Sequence, residues 1–245
     1  MKLDDVKKLH QKKYRAQFGY YLVEGEHLIL ELHKATTTKH SDITLYVTDA
    51  YQQWAEDLGS EFCIVSVNSK QMSSLSDTKT PQGIIACVPM PDLSQTSMAS
   101  QPAKRCIYLH EVQDPGNLGT ILRTLAWFGD CKLLLSPNSV DPFNSKVVRA
   151  SMGAIFHVPI EIDVPLDALQ ARFKRFAYLD MQGETIRSPD FSNYECYLFG
   201  NEARGVPRDS LSAFAAKAFT IAGSGQIDSL NLASAVNICV YELAR

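Results

Sequence analysis

Residues 106–128, CIYLHEVQDPGNLGTILRTLAWF, contain the motif that decides the fold of this chain. Cys106–Leu109 predicts a buried strand, and a helical pattern follows over about 117–128. Between them a Pro-Gly turn leaves the strand, and Asn117 stands at the position expected for a helix N-cap. Gly119 would let another backbone or a ligand approach the first helical turn closely. The segment therefore predicts a strand–loop–helix unit whose loop is a candidate ligand site.

The same alternation of strands and helices continues along the chain. Further buried strands are expected at Lys132–Leu135, His157–Ile162, Phe176–Leu179, Tyr197–Phe199 and Ala218–Ile221. Further helical patterns lie at about 144–151, 166–173, 208–215 and 230–244. Strands that alternate with helices predict a parallel sheet with helices on both faces. Such sheets bind ligands outside the carboxyl ends of their strands, so the loops after Leu109, Phe199 and Ile221 are the candidate sites.

The loop after Phe199 reads GNEARGVP over residues 200–207. Two glycines, Gly200 and Gly205, bracket a charged segment that holds Glu202. Solvated loop charges are the usual interpretation of such a segment, and the flanking glycines favour a ligand site only modestly.

The loop after Ile221 is rich in glycine and leads into an apolar helix, for which Asp228 or Ser229 is the expected N-cap. Asn231 and Asn237 are unusual in such a helix, because buried amides need hydrogen-bond partners. Satisfied structural amides and a ligand site both fit this pattern. The chain contains neither GxGxxG nor GxxxxGK[ST], so a dinucleotide site or a P-loop is not expected.

Composition excludes several classes of protein. The 245 residues are 45% hydrophobic and 21% charged, which are ordinary globular values and exclude a wholly disordered chain. The net charge of −3 provides no global electrostatic argument for nucleic acid or membrane binding.

The six cysteines form no CxxC pair and no histidine cluster has zinc-ligand spacing, so we expect free thiols and no metal site. Neither a signal peptide nor a membrane-spanning run is visible, and a cytosolic location is expected.

Residues 89–103, rich in Pro, Ser, Gln and Thr, are interpreted as a linker between a unit at 1–88 and a unit at 104–245. The first unit is expected to be a small α/β domain. Its candidate strands are Tyr20–Val23, Ile43–Thr48, Phe62–Val67 and Gly83–Val88, with helices at about 26–34 and 51–58.

The first fifteen residues are locally basic, with six Lys or Arg against two acidic residues. Contact of Lys12, Lys13 and Arg15 with RNA phosphates is one interpretation, and a solvated helix face is the other. Aromatic residues that can stack on unpaired bases follow closely, although some of them must be core: Tyr14, Phe18, Tyr20 and Tyr21.

The three loops together resemble the SpoU/TrmH branch of the SPOUT methyltransferases over about residues 104–245. The family's motifs are matched by Asn117-x-Gly119-x-x-x-Arg123, Gly200-x-Glu202-x-x-Gly205 and Ser229-Leu230-Asn231. Each motif is short, but their order and their strand–loop–helix context make the combination specific. The first unit resembles the family's substrate-binding domain, which is similar to small RNA-binding ribosomal proteins; the matching residues are Lys12–Arg15, Phe18 and Val23–Gly25.

The resemblance implies an α/β fold in which a trefoil-knotted, parallel-sheet methyltransferase domain follows a small α/β RNA-binding domain. It also implies S-adenosylmethionine as cofactor, bound largely by backbone groups of Gly200, Ile221 and Leu230. The implied reaction is methyl transfer to a ribose 2′-hydroxyl of RNA. Family members act as homodimers, with the active site built across the interface.

The family pattern also assigns roles to five residues. Arg123 matches the residue that activates the 2′-hydroxyl, either by accepting its proton or by clamping an RNA phosphate. The phosphate clamp demands less of the residue, because an arginine, whose pKa lies above about 12, must first lose a proton before it can accept one. Asn117 and Glu202 would order the loops and orient Arg123. Ser229 and Asn231 would shape the pocket floor and position the ribose.

Several alternatives stay open. The two-domain layout favours ribosomal RNA over transfer RNA, and the sequence does not indicate which nucleotide is modified or whether naked RNA or an assembling ribosome is the substrate. A non-catalytic RNA-binding or ribosome-assembly module would share the fold, although no motif position is lost. A doubly wound enzyme using a nucleotide or coenzyme A is disfavoured by the missing phosphate-loop patterns. His157 is expected to be a core histidine, and His110 is a candidate supporting group beside the first motif.

Overall fold

The computed structural model describes residues 1–35, 40–59, 61–91 and 104–245. Within these ranges the α-helices are α1 (Leu3–Lys8), α2 (Lys12–Phe18), α3 (Glu26–Lys34), α4 (Gln52–Asp57), α5 (Ser69–Leu75), α6 (Pro115–Phe128), α7 (Ser145–Ala150), α8 (Asp167–Arg172), α9 (Arg208–Leu211) and α10 (Leu232–Ala244). The strands are β1 (Tyr20–Glu24), β2 (Thr44–Val47), β3 (Cys63–Ser66), β4 (Ile84–Pro89), β5 (Arg105–Leu109), β6 (Cys131–Leu135), β7 (Ile160–Glu161), β8 (Phe176–Thr185), β9 (Cys196–Phe199) and β10 (Ala216–Thr220). No helix among the described residues has the length and apolar character that crossing a membrane requires.

The chain packs as two compact units. One comprises Met1–Pro91 together with Asp141–His157, and the other comprises Asp92–Val140 together with Val158–Arg245. Most of the expected linker, residues 92–103, lies outside the described residues. This division differs from the single boundary expected at the linker. The segment Asp141–His157 belongs to the first unit, because it packs on β1 and its neighbours. In this segment the Phe143 ring lies 5.0 Å from the ring of Tyr21.

The first unit is a four-stranded mixed sheet in the order β1-β4-β2-β3. β4 pairs antiparallel with β1 and β2, and β2 pairs parallel with β3. The expected small α/β domain is therefore confirmed. Helix α5 has no counterpart in the sequence analysis; its start is fixed by a capping box in which the side chains of Asn68 and Gln71 each accept the other's backbone N–H.

The second unit is a six-stranded, wholly parallel sheet in the order β10-β8-β9-β5-β6-β7. This confirms the parallel sheet expected from the alternating pattern. β5 and β9 are neighbours in the interior of the sheet, where the strand order reverses. Their carboxyl ends, Leu109 and Phe199, lie opposite each other in register. The first two motif loops therefore leave the sheet side by side.

Three local predictions are wrong. Of the strand expected at His157–Ile162, only β7 forms, because a 3-10 helix over Ala154–Phe156 carries the chain up to it. That turn exposes His157 to solvent, so this residue is not a core histidine. The helix expected at about 208–215 is limited to the four residues of α9.

Candidate active site

A cleft of about 960 Å³ lies at the carboxyl ends of the parallel strands of the second unit. Its lining combines all three motif loops with residues 179–181 of β8. Seven of the eight residues predicted to act in catalysis or cofactor binding line it: Asn117, Gly200, Glu202, Ile221, Ser229, Leu230 and Asn231. The eighth, Arg123, does not. The structure thus brings together loops that are far apart in the sequence.

Glu202 joins the second loop to the first. Its carboxylate accepts hydrogen bonds from the backbone N–H groups of Gln113, at 3.1 and 3.3 Å, and of Asp114, at 3.1 Å. It also accepts one from Asn117 Nδ2 at 3.3 Å. Three donors that precede or begin α6 are therefore held by one side chain of the neighbouring loop.

Asn117 continues this network to the third loop. Its Oδ1 accepts a hydrogen bond from Asn231 Nδ2 at 2.9 Å, while its own Nδ2 donates to Glu202. Asn231 Oδ1 in turn accepts from Ser234 N at 3.3 Å. One continuous chain, Glu202–Asn117–Asn231, therefore connects the three motifs.

Both expected helix caps require correction. The N-cap of α6 is Asp114, whose Oδ1 accepts from Asn117 N at 2.7 Å, and Pro115 occupies the first helical position. Proline suits that position because its missing N–H would have no partner there. The N-cap of α10 is Asn231, not Asp228 or Ser229. Asn117 and Asn231 are consequently at the beginnings of two helices that meet at the cleft.

Asn201 is a buried site residue that the sequence analysis did not single out. Its Nδ2 donates to Glu111 O at 2.7 Å, and its Oδ1 accepts from the N–H groups of Ala203 and Arg204, both at 3.0 Å. An asparagine that hydrogen-bonds the backbone two residues on is typical of a turn, and this was the available signal. Gly200 lies so close to Gly205 that a Cβ would meet its carbonyl carbon at 2.2 Å. The second loop is thus a tight turn that excludes side chains at Gly200.

Arg123 lies on the exposed face of α6. It follows Asn117 by six residues, which is about 9 Å along a helix axis. This separation explains why the arginine lies away from the cleft of its own chain while Asn117 lines it.

The basic segment of the first unit presents only part of its expected surface. Lys12 and Lys13 are exposed, whereas Arg15 is 2% exposed and its binding to RNA phosphate is a wrong prediction. The Arg15 guanidinium donates to Asp141 Oδ2 at 2.5 and 3.0 Å and to Leu9 O at 2.7 Å.

Among the aromatic residues of this segment, Tyr21 belongs to the core. Tyr14 is half-buried and lies beneath Lys8 Nζ and Lys13 Nζ, which are 5.8 and 5.6 Å from its ring centroid. The aromatic surface that remains for a base is therefore centred on Tyr14.

Two further polar residues have structural explanations. Asn237 Oδ1 accepts a hydrogen bond from Thr124 Oγ1, which joins α10 to α6 and satisfies the amide. His110 is half-buried beside Tyr108, with a ring-centroid distance of 6.4 Å, and it does not line the cleft. Burial lowers the pKa of His110, which favours its neutral imidazole.

The cleft suits an organic cofactor better than a metal. Drug-sized ligands typically occupy clefts of roughly 300–1,000 Å³ that combine apolar walls with a few placed polar groups. Here the apolar side chains of Leu179, Ile221 and Leu230 accompany the backbone of the tight Gly200 turn. Within the described ranges, no group of three or more His, Cys, Asp or Glu residues is arranged to hold a metal ion.

Comparison with known proteins agrees with the geometry in both units. Residues 104–241 match the SpoU rRNA Methylase family, and residues 2–86 match the MRM3-like substrate binding domain. Over 246 aligned residues, the chain is 30% identical to the 23S rRNA (guanosine(2553)-2'-O)-methyltransferase RlmP of Bacillus subtilis, covering 99% of this chain and 95% of that protein.

Solved structures show the same architecture. An AdoMet-bound rRNA methyltransferase from Sinorhizobium meliloti is 27% identical, with a TM-score of 0.80, over 98% of this chain and 93% of that one. The SpoU methyltransferase AviRb from Streptomyces viridochromogenes, in complex with AdoMet, has a TM-score of 0.84 at 22% identity, over 99% and 96% of the two chains. The second of these likenesses concerns the fold alone.

Proposed function

Because this chain belongs to the SpoU rRNA Methylase family, we propose that it methylates a ribose 2′-hydroxyl of ribosomal RNA with S-adenosylmethionine. The observation that carries the proposal is the convergence of all three motifs in one cleft through the Glu202–Asn117–Asn231 network. Ribosomal RNA is favoured because a relative named as a 23S rRNA 2'-O-methyltransferase aligns over both units of this chain.

S-Adenosylmethionine, when bound, supplies an electrophilic methyl group. In this chain Gly200, Ile221 and Leu230 line the cleft in which it would be held. The network through Asn117 fixes the separation of these loops, so the substrate hydroxyl meets a preorganised site. Ser229 and Asn231 line the same cleft beside Leu230, which suits the role of positioning the ribose.

Arg123 is proposed to activate the 2′-hydroxyl in a homodimer. Its position outside its own cleft supports a role in the cleft of a second copy. On the same helix Trp127 is 85% exposed, and on α10 Ile238 and Tyr241 are 38% and 56% exposed. Such a patch of apolar side chains favours an interface. A dimer that buries Trp127 would also bring Arg123, one turn earlier, to the interface.

Within that site Arg123 is proposed to clamp an RNA phosphate and orient the hydroxyl. A guanidinium presents five N–H donors in a fixed fork that matches phosphate geometry, whereas it surrenders a proton only with difficulty. Because Arg123 is exposed, its guanidinium is free to bind a phosphate.

RNA recognition is proposed for the first unit, through the exposed Lys12 and Lys13 and the neighbouring Tyr14. Lysines that flank an aromatic ring combine phosphate attraction with a surface on which an unpaired base can stack. The trefoil knot and the cytosolic location implied by the family are part of the same proposal. The free state of all six cysteines supports a reducing compartment.

The test uses labelled S-adenosylmethionine with total RNA from cells that lack this gene, and a reaction without protein as control. Label is then mapped in separated RNA fractions as alkali-resistant 2′-O-methyl dinucleotides. We expect label at a ribosomal RNA position. Label only in transfer RNA would contradict ribosomal RNA as the substrate. No label in any fraction, including intact ribosomal subunits, would favour a non-catalytic RNA-binding module.

A further inference from the structure

Strand β8 leaves its sheet beside the cleft and then rejoins it. Its residues 176–178 pair with 216–218 of β10, and its residues 184–185 pair with 219–220. Ala218 and Phe219 are consecutive, so the five residues 179–183 of β8 have no partners on β10. We name residues 179–183 the β8 excursion. Its first three residues line the cleft.

The end of the excursion is fixed tightly. A Cβ on Gly183 would lie 2.7 Å from the carbonyl carbon and oxygen of Ala218 and 2.8 Å from Phe219 N. Only glycine permits this approach to β10 without a shift of backbone. The Met181 carbonyl also accepts a hydrogen bond from Thr220 Oγ1 at 3.3 Å.

The excursion is also held by a bidentate ion pair between Asp180 and Arg208. Arg208 Nε donates to Asp180 Oδ2 at 2.7 Å, and Arg208 Nη2 donates to Asp180 Oδ1 at 2.5 Å. Asp180 Oδ1 also accepts from Gln182 N at 3.1 Å, which closes a turn inside the excursion. The Asp180 side chain is only 5% exposed, whereas that of Arg208 is 61% exposed. The carboxylate is therefore fully engaged, and Arg208 reaches it from the solvent side.

Arg208 begins α9, directly after the Gly200–Pro207 turn that carries the second motif. The ion pair therefore joins two segments that line the cleft, the β8 excursion and the segment after the second motif. Planar fork-to-fork pairing fixes orientation as well as distance, which a lysine in place of Arg208 would not do. Loss of this ion pair would free residues 179–183, which have no strand partners on β10.

We propose that the Asp180–Arg208 pair sets the width of the cofactor cleft, which makes Arg208 a positioning residue for S-adenosylmethionine binding. This inference rests on the proposed function. Both residues line the cleft, and the role assigned to Arg208 is to hold Asp180 in place. Only the Arg208 side of the pair is exposed, and the buried Asp180 carboxylate is costly to leave unpaired, so Asp180→Asn, which removes that charge, separates an effect on the cleft from an effect on the fold.

The test is calorimetric titration of the full-length protein with S-adenosylmethionine in the absence of RNA. Variants are Arg208→Gln, Arg208→Lys, Asp180→Asn and the charge-reversed double variant Asp180→Arg with Arg208→Asp. Arg175→Gln is the matched control, because Arg175 also pairs with an aspartate, Asp190, but does not line the cleft. Thermal unfolding is measured for each.

We expect Arg208→Gln and Asp180→Asn to raise the Kd for S-adenosylmethionine by about tenfold each, the size typical of coupled contacts. Arg208→Lys should recover only part of this loss. The double variant should return to within about threefold of the wild type, and Arg175→Gln should be unchanged. The Tm of Asp180→Asn and Arg175→Gln should stay within a few degrees of the wild type, whereas Arg208→Gln should lower the Tm because it leaves the buried Asp180 carboxylate unpaired.

Equal Kd values in wild type and single variants would overturn the inference, as would a double variant as weak as Arg208→Gln, which indicates direct cofactor contact. A large fall in the Tm of Asp180→Asn that parallels its loss of binding would also overturn it, because the pair would then be structural. Failure of the wild-type protein to bind S-adenosylmethionine is a different result, and it would count against the proposed function itself.

Discussion

Replacement of Glu202 provides the sharpest test of the loop network. Its Oε1 accepts from Gln113 N, Asp114 N and Asn117 Nδ2, whereas its Oε2 accepts from Gln113 N alone. Glu202→Ala removes every one of these acceptors. Glu202→Gln can keep the carbonyl oxygen at the Oε1 position and lose only the second acceptor. The two variants therefore differ in how many donors they leave without a partner.

The magnitude follows from the number of contacts and from exposure. A typical hydrogen bond contributes about 0.5–1.5 kcal/mol, and bonds to charged groups contribute more when they are buried. Glu202 is exposed, so water replaces part of each lost contact, and about 0.5–1 kcal/mol for each of three donors is appropriate. The sum of roughly 1.5–3 kcal/mol corresponds to a rate loss of about 10- to 150-fold for Glu202→Ala. For Glu202→Gln we expect a loss of less than about tenfold.

The assay is single-turnover methyl transfer at saturating cofactor, with the Tm and the Kd for S-adenosylmethionine measured on the same preparations. Since the network orders loops and does not hold the fold, the Tm should change by no more than a few degrees. A Glu202→Ala enzyme with the wild-type single-turnover rate would refute the reasoning. So would a Glu202→Gln enzyme as slow as Glu202→Ala, because the retained Oε1 contacts would then be irrelevant.

Four other perturbations have defined outcomes. Arg123→Ala should abolish methyl transfer while the Kd for S-adenosylmethionine changes by less than about threefold; undiminished turnover would remove Arg123 from the mechanism. Charge reversal of Lys12 and Lys13 should weaken RNA binding and flatten the dependence of log K on log salt by about 0.7 per lost phosphate contact on single-stranded RNA; an unchanged slope would mean that RNA binds elsewhere. Arg15→Ala should destabilise the protein by about 3–5 kcal/mol in denaturant unfolding, because it leaves a mostly buried carboxylate unpaired; a loss below 1 kcal/mol would contradict the ion pair. Trp127→Asp should convert the proposed homodimer to monomer in sedimentation analysis, and a monomeric wild-type protein would contradict the proposed dimer.

Local patterns in the sequence identified most of the secondary structure. The strands of both sheets were anticipated within a few residues, except that β7 occupies only two residues of its expected span and β8 continues to Thr185, well past its expected end at Leu179. Helix α10 was also anticipated, since small apolar residues at helical spacing are visible without tertiary information. Helix α5 was missed because its start depends on the polar capping box of Asn68 and Gln71 and not on an apolar pattern.

The candidate site was predictable in its residues but not in its connections. The motif spacing named Asn117, Glu202 and Asn231, yet the hydrogen bonds that join them span 85 and 114 residues of sequence. The N-caps were assigned to Asn117 and to Asp228 or Ser229 because a side chain that faces another loop is indistinguishable, in sequence, from one that caps its own helix.

The sequence by itself determined where strands and helices form, that the second sheet is parallel, and which loops carry the chemistry. Hydrophobic periodicity and turn residues act over a few positions, so the chain alone reveals them. Only the tertiary structure decided that Arg15 is buried, because its partner Asp141 is 126 residues away. It likewise decided that residues 179–183 of β8 have no partners on β10 and that Arg208 pairs with Asp180. These features depend on long-range pairing of charges and backbone, which no local pattern records.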